Sequence, residues 1–306
     1  MKTAMKGIIG CVALAVAVAI IFGPAAAMAG EKKLVVGSKE FTEQRIIGNI
    51  MIVLLEKNGF ECVDKTGLGG TLVARKALEN KQIDVYMEYT GTALTTFLKH
   101  KETITDPQKC YDAVKAEELE KNGMVWLPYM SFNNTYCLLM RQDESAKTGI
   151  KTLSDLASYV KEHPKAISFG VNAEFYARPD GYKPLQKAYG FKFPRKKIVK
   201  MESGLLYKAL KDSQIQVGLG FATDGRIKGF NLVVLEDDKK FFPVYNPAPV
   251  VKKETAEKYP ELEGIFKKLG EKLSTEAMTN LNYQVDIEHK NVKEVATEWM
   301  KSAGLM

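Results

Sequence analysis

The sequence predicts an α/β protein of two lobes, each a mostly parallel sheet flanked by helices, with a ligand cleft between them. Strand-like apolar runs alternate with amphipathic helical segments, the order that builds parallel sheets with helices on both faces. The alternation runs its course and starts afresh near residue 133, in a chain long enough for two cores. In addition, aromatic rings and lone cations stand where strands hand over to helices, and in α/β proteins ligands bind at that junction.

Ahead of the first strand, "MKTAMK" is a basic segment, Gly7 to Phe22 an apolar run and "PAAAMAG" a small-residue site. Residues 1–29 read as a signal peptide cleaved after Ala29, so the mature chain is expected to be exported. The run is short for an uncleaved membrane span. Too few residues separate Lys6 from Cys11 for a lipoprotein box. "KLVVGS" is then a strand, and Thr42 to Lys57 a helix with Ile46, Ile47, Ile50, Val53 and Leu54 at helical spacing. "FECVDKT", "GGTLVARKALENK" and "IDVYMEY" follow as strand, helix and strand, and "GTALTTFLK" as a helix.

"NTYCLLMR" opens the second unit. "TLSDLASYVKEH" is a helix with Thr152 as N-cap and Asp155 three residues on. "AISFGV", "KIVKM" and "IQVGLGFAT" are strands around the helices "GYKPLQKAYG" and "SGLLYKALKD", and "NLVVLED" completes the sheet. "FFPVYNPAPVV" is an extended Pro-rich return. Glu254 to Leu305 is helical, with "LSTEAMTNLNYQVD" one well-capped element. Short crossovers near 130–134 and 238–245 join the units, an arrangement that closes a cleft on a small solute.

Composition narrows the function. The chain carries 44 basic and 37 acidic residues, a formal +7, spread along its length as a solvated surface rather than a nucleic-acid stripe. Cys62, Cys110 and Cys137 make no disulfide scaffold and no zinc spacing. Cys62 and Cys137 read as buried thiols in strands, while the place of Cys110 stays open. His100, His163 and His289 read as surface side chains. No G-x-S-x-G occurs, and "GLGGTL" fails the dinucleotide fingerprint because Leu72 stands at its third glycine position. Its simpler reading is a tight turn presenting backbone N–H groups. Asp237 and Asp238 are adjacent in a loop, which is no acid/base geometry. No catalytic residue, cofactor or metal is expected, and an exported enzyme remains the minor alternative.

What the strand ends offer instead is rings and cations. Lys39 follows the first strand, Tyr89 and Thr92 the third, and Tyr136 opens the second unit. Arg178 follows "AISFGV", Phe221 ends "IQVGLGF" and Tyr245 lies on the return crossover.

The motifs "VGSKEFTEQRIIGNI", "GLGGTLVARKALENKQIDVYMEYTGTAL", "LSDLA", "FGVNAEFYARPDGY", "ATDGRI", "VVLEDDKKFFPVYNPAPVV" and "LNYQVD" are long and ordered. Through them the mature chain resembles, over nearly its whole length, the solute-binding proteins of ABC-type glycine betaine/choline (osmoprotectant) transporters. The resemblance implies a type II periplasmic-binding-protein fold, with lobe 1 made of residues 30–132 plus 239–306 and lobe 2 of residues 133–238. It further implies an aromatic box for a quaternary ammonium at Tyr89, Tyr136, Phe221 and Tyr245, with Phe221 where the family usually has Tyr. Lys39, Thr92 and Arg178 match the end that holds the ligand carboxylate. The implied partners are a small quaternary ammonium ligand and a membrane ABC permease, with no nucleic acid, the protein itself being a periplasmic monomer. Two unneutralised cations beside the box would favour a betaine over choline. A different small solute, such as choline, carnitine or an amino acid, is the alternative on the same fold.

Overall fold

The computed structural model describes residues 32–306. The signal peptide expected over residues 1–29 lies outside them. From Lys32 the chain runs β1 (Lys33–Gly37), α1 (Thr42–Lys57), β2 (Glu61–Lys65), α2 (Thr71–Glu79), β3 (Val85–Tyr89), α3 (Thr90–Thr92), α4 (Pro107–Asn122) and β4 (Met124–Trp126). It crosses over at 127–135 and builds β5 (Tyr136–Arg141), α5 (Gln142–Thr148), α6 (Leu153–Glu162), β6 (Phe169–Val171), α7 (Ala173–Ala177) and α8 (Tyr182–Tyr189). Next come β7 (Ile198–Lys200), α9 (Ser203–Lys211), β8 (Val217–Phe221), α10 (Arg226–Gly229) and β9 (Leu232–Leu235). A second crossing at 236–246 leads to β10 (Pro247–Lys252), and α11 (Lys253–Lys258), α12 (Leu262–Lys272), α13 (Thr275–Asp286) and α14 (Val292–Ser302) complete the chain.

Two five-stranded sheets result, ordered β2-β1-β3-β10-β4 and β7-β6-β8-β5-β9. They share one plan. In each sheet the strand that has just arrived from the other sheet, β10 or β5, is antiparallel to its neighbours on both sides, while the remaining pairs are parallel. The first sheet is covered on both faces, and the pleat sorts its side chains between them. Leu34, Val36, Val85 and Met87 pack with α1, α12, α13 and α14, whereas Tyr86 and Trp126 pack with α2 and α4. Around the second sheet, Leu138, Phe169 and Leu219 lie in one apolar cluster with side chains of α6, α8 and α9.

Most of the expected segments form where their patterns place them, and the departures are instructive. The helix expected over "GTALTTFLK" makes a single α turn and continues as a π-helix over Ala93–Phe97. There the Thr95 hydroxyl stands 2.8 Å from the Gly91 carbonyl, competing with the backbone ladder. The Pro-rich return becomes an interior strand. Its prolines are tolerated because Pro249 and Pro247 turn their carbonyls to the N–H groups of Leu127 and Met130, just past the end of β4, and need donate nothing. Helix α4 has no counterpart in the sequence pattern, since it buries little beyond Cys110, Tyr111, Val114 and Glu118. Finally, Cys137 and Cys110 are buried but Cys62 is half-buried, and all three are free thiols.

Candidate ligand-binding site

A cavity of about 560 Å³ lies between the two sheets. Six of the seven residues singled out from the sequence line it: Lys39, Tyr89, Thr92, Tyr136, Phe221 and Tyr245. Strand geometry explains the convergence. Tyr89 ends β3 and Thr92 sits in the α turn that follows. Tyr136 begins β5 and Phe221 ends β8, and the two are direct partners in the antiparallel register, so their rings meet at 5.2 Å. Tyr245 reaches in from the second crossing and meets Tyr136 edge-on at 5.4 Å. It comes that close because residue 91 is glycine: a Cβ there would stand 2.6 Å from the Val244 carbonyl and 2.9 Å from the Tyr245 ring.

A fifth ring stands where the sequence pattern carries no signal. Phe41, immediately before α1, stacks on Phe221 at 5.3 Å and 8°, and approaches Tyr89 at 6.3 Å. Tyr89, Phe41, Phe221, Tyr136 and Tyr245 thus form a continuous wall of rings drawn from both sheets and the crossing between them. Burial pushes the hydroxyls of Tyr89, Tyr136 and Tyr245 far above the usual tyrosine range, so the rings are neutral.

The cations are not arranged as expected. Lys39, 3 % exposed, donates to Glu88 Oε1 at 2.6 Å and to Thr71 Oγ1 at 3.0 Å. Arg178 does not line the cavity. Its guanidinium grips Asp180 through Nε at 2.8 Å and Nη2 at 2.7 Å, lies 3.4 Å from Glu174 and sits 5.6 Å from the Tyr136 ring. Asp180 in turn accepts from the Tyr245 hydroxyl at 3.1 Å. The Arg178–Asp180 pair therefore props two rings from behind. The cavity wall itself carries the ammonium groups of Lys39 and Lys200 against the carboxylates of Glu40, Glu174 and Glu202. So the premise of two unneutralised cations fails: each has its own carboxylate partner.

Three further side chains shape the site without standing at a strand end. Glu174 on α7 accepts from the Thr71 hydroxyl at 2.6 Å and the Thr71 N–H at 3.3 Å, so a side chain from the second sheet caps the N-terminus of α2. This fills the turn that "GLGGTL" marked as presenting N–H groups. Burial alone would raise the Glu174 pKa, but Lys39, Thr71 and Arg178 outweigh it and hold the carboxyl below its ordinary range. Asn134 lines the cavity and donates to Glu43 at 2.8 Å. Glu43, fully buried in α1, also accepts from the hydroxyls of Tyr89, at 2.7 Å, and Thr223, and from Asn282 at 3.2 Å. One sequence signal pointed to it: Glu43 falls in phase with the apolar stripe of Ile46, Ile47 and Ile50, where a solvated carboxylate does not belong. Among the described residues no three acidic, histidine or cysteine side chains converge to hold a metal ion.

Residues 32–302 match a family model described as the substrate-binding domain of ABC-type glycine betaine transport systems. The glycine-betaine-binding protein of Pseudomonas aeruginosa is 41 % identical over 287 residues, covering 92 % of this chain and 91 % of that one. The carnitine transport binding protein OpuCC of Listeria monocytogenes is 39 % identical over 269 residues, covering 87 % and 85 %. A solved structure described as a glycine betaine/carnitine/choline ABC transporter superposes with a TM-score of 0.72 at 32 % identity, over 89 % of this chain and 99 % of that one.

Proposed function

The chain belongs to the family of substrate-binding domains of ABC-type glycine betaine transport systems, and from that premise we propose that it captures a betaine outside the cytoplasm and delivers it to a membrane ABC permease. The observation that carries the reading is the wall of five neutral rings around the cavity. A trimethylammonium group has no N–H to donate, so hydrogen-bond acceptors cannot hold it. Ring faces attract it through their quadrupoles, each contributing roughly 0.5–2 kcal/mol. Four or five such faces sum to roughly 2–10 kcal/mol, a range whose upper part covers the ~8 kcal/mol of a micromolar complex. At the other end, the Lys39 ammonium has three donors, two of them used within the protein, and the third together with the Thr92 hydroxyl meets the ligand carboxylate. Arg178 acts through Tyr136 and Tyr245 rather than on the ligand.

In this reading the protein performs no chemistry, needs no cofactor and works as a periplasmic monomer released from residues 1–29. Lobe 1 (30–132 plus 239–306) and lobe 2 (133–238) close on the ligand between them. A second reading has one observation in its favour. Because Lys39 is neutralised by Glu88 and the wall bears more carboxylates than ammonium groups, a cation without a carboxylate, such as choline, is not repelled.

Titration calorimetry with glycine betaine, choline and 3,3-dimethylbutanoate separates the readings. The last has the shape and carboxylate of glycine betaine with a neutral carbon in place of nitrogen. Glycine betaine is expected to bind at least tenfold more tightly than the neutral-headed analogue, a difference of ~1.4 kcal/mol. Equal affinities would remove the cation–ring account. Choline binding tenfold above glycine betaine would install the second reading.

A further inference from the structure

The net charge of the chain is concentrated in one stretch. Residues 183–200 carry seven basic side chains and no acidic one. Taking them from the 44 basic residues of the chain leaves 37, equal to its 37 acidic residues, so this stretch holds the entire formal +7. The even spread expected from the sequence holds only outside it. The stretch runs through α8, the turn Arg195–Lys197 and β7, an edge strand of the second sheet. Its last cation, Lys200, lies 3.5 Å from the centroid of the Tyr176 ring and lines the betaine cavity. The other six form no ion pair among the described residues, and five of them are exposed.

Local structure accounts for only part of this. Lys187 sits in the last turn of α8, where the macrodipole favours a cation, and lysines blunt an edge strand. Lys183, however, is in the first turn of the same helix, where a cation is disfavoured. Arg195, Lys196 and Lys197 stand side by side with no carboxylate among them. Gathering like charges in this way works against the fold. A groove of about 470 Å³ opens here between the ends of α6 and α8. Val160, Pro164 and Phe191 give it apolar walls, Lys161, Lys187 and Lys192 give it charged ones, and no carboxylate lines it. Lys161 reaches in from α6, its Nζ 3.7 Å from where a Cβ on Gly190 would stand. Carboxylates on neighbouring elements are engaged elsewhere. Glu162 lies 4.0 Å from His163. Asp237 accepts from the Tyr189 hydroxyl and the N–H groups of Phe241 and Phe242, and Asp238 from the Ser154 N–H.

The chemistry of this face selects its partner. A single-stranded nucleic acid needs rings to stack on, but Tyr182, Tyr189, Phe191 and Phe193 are all buried. A protein interface is built around an apolar core, and none of the exposed large apolar side chains falls between residues 161 and 200. An anionic lipid surface asks only for charge. The groove adds a seat for one headgroup, its phosphate against the lysines and its glycerol carbons against Val160 and Phe191. We propose that this face of the second lobe docks the protein on anionic phospholipid of the membrane whose permease it serves. The proposal rests on the extracytoplasmic reading above, which brings that membrane within reach, and on nothing in the betaine cavity.

Co-sedimentation of the mature chain, residues 30–306, with phospholipid vesicles tests this. Phosphatidylcholine vesicles with about 30 % phosphatidylglycerol are expected to pellet the protein at about 50 mM NaCl and to release it at about 500 mM. Vesicles of phosphatidylcholine alone should leave it in solution. The triple variant Lys187→Gln, Lys192→Gln, Lys196→Gln should partition at least tenfold more weakly. Lys267→Gln, Lys268→Gln, Lys272→Gln removes the same charge from exposed positions on α12 and should change partitioning less than about twofold. Calorimetry with glycine betaine on the same samples should give one affinity for all three proteins. Protein that pellets without binding betaine leaves the docking standing and removes the betaine reading. Protein that stays in solution with phosphatidylglycerol vesicles at low salt overturns the docking. An equal loss in the two triple variants overturns it as well, because net charge alone would then be responsible.

Discussion

On the proposed reading Tyr89 acts through both its face and its hydroxyl, and the two roles can be taken apart. The ring lines the cavity, while the hydroxyl is one of four donors to the buried Glu43 carboxylate. Tyr89→Phe keeps the face and leaves Glu43 a donor short, which in a buried setting costs about 1–3 kcal/mol of stability. Tyr89→Ala loses the face as well. The expected outcome is a lower unfolding midpoint for both variants, with glycine betaine affinity changed less than about threefold by Phe. Alanine should weaken binding by about 0.5–2 kcal/mol for the lost ring attraction, and more if the wall collapses. Calorimetry and thermal melts on the same samples check this. If Phe weakens binding as much as Ala, the hydroxyl network rather than the ring face sets affinity. The sequence made Tyr89, Tyr136, Phe221 and Tyr245 visible because each stands at a strand end or on a crossing, a property that local pattern encodes. Glu174 was invisible for the opposite reason. It sits in a short helix whose pattern marks no site, and its meaning arises only when Thr71, distant in sequence, arrives beside it.

At the scale of elements, the first turn of α3 and the second crossing form one joint. Gly91 lets the helix start against the Val244 carbonyl and the Tyr245 ring. Because the Val244 contact is to backbone, it cannot be relieved by turning a side chain. Gly91→Ala is therefore expected to displace Tyr245, costing about 1–3 kcal/mol of stability as overpacking and lowering glycine betaine affinity at least fivefold. Gly264→Ala in α12, where a Cβ meets nothing within 4 Å, is the control and should be neutral or stabilising by ~0.5–1 kcal/mol. Unchanged binding in Gly91→Ala would show that Tyr245 has freedom to move without loss. Elements with wide apolar stripes, such as α1, were legible from periodicity alone. Helix α4 was not, because its buried side chains are few and partly polar. Its termini did carry a signal in Asp106 as N-cap, Pro107 after it and Gly123 in the left-handed conformation at the end. The interior place of β10 was hidden by its prolines, whose tolerance depends on where β4 happens to stop.

At the scale of the molecule, the lobes touch through polar pairs of opposite origin: Glu174 with Thr71, Asp180 with Thr95, and Thr223 with Glu43. Contacts that break on opening couple closure to pH, and among the pairs across the cleft Glu174 is the carboxylate that groups of the other lobe hold below its ordinary range. Its partners Thr71 and Lys39 belong to the first lobe, whereas Asp180 keeps Arg178 of its own lobe in either state. The sign follows from the direction of the shift. Closure lowers the Glu174 pKa, so the closed form binds that proton less tightly than the open form. The stabilisation is present above the ordinary glutamate value of ~4.3 and is lost as pH falls through the lowered one. Small-angle scattering of the protein saturated with glycine betaine should give a smaller radius of gyration than ligand-free protein at pH 7. Below about pH 4 the difference should fade while circular dichroism still reports folded helices. Removing a cap of this kind costs about 1 kcal/mol, so Glu174→Gln should bind betaine roughly fivefold more weakly at pH 7. It should also lose the acid-dependent part of the opening. A Glu174→Gln protein whose closure still titrated like wild type would move the linkage to another carboxylate. A radius of gyration indifferent to ligand at pH 7 would mean that the lobes are already shut without it, held by the polar pairs alone.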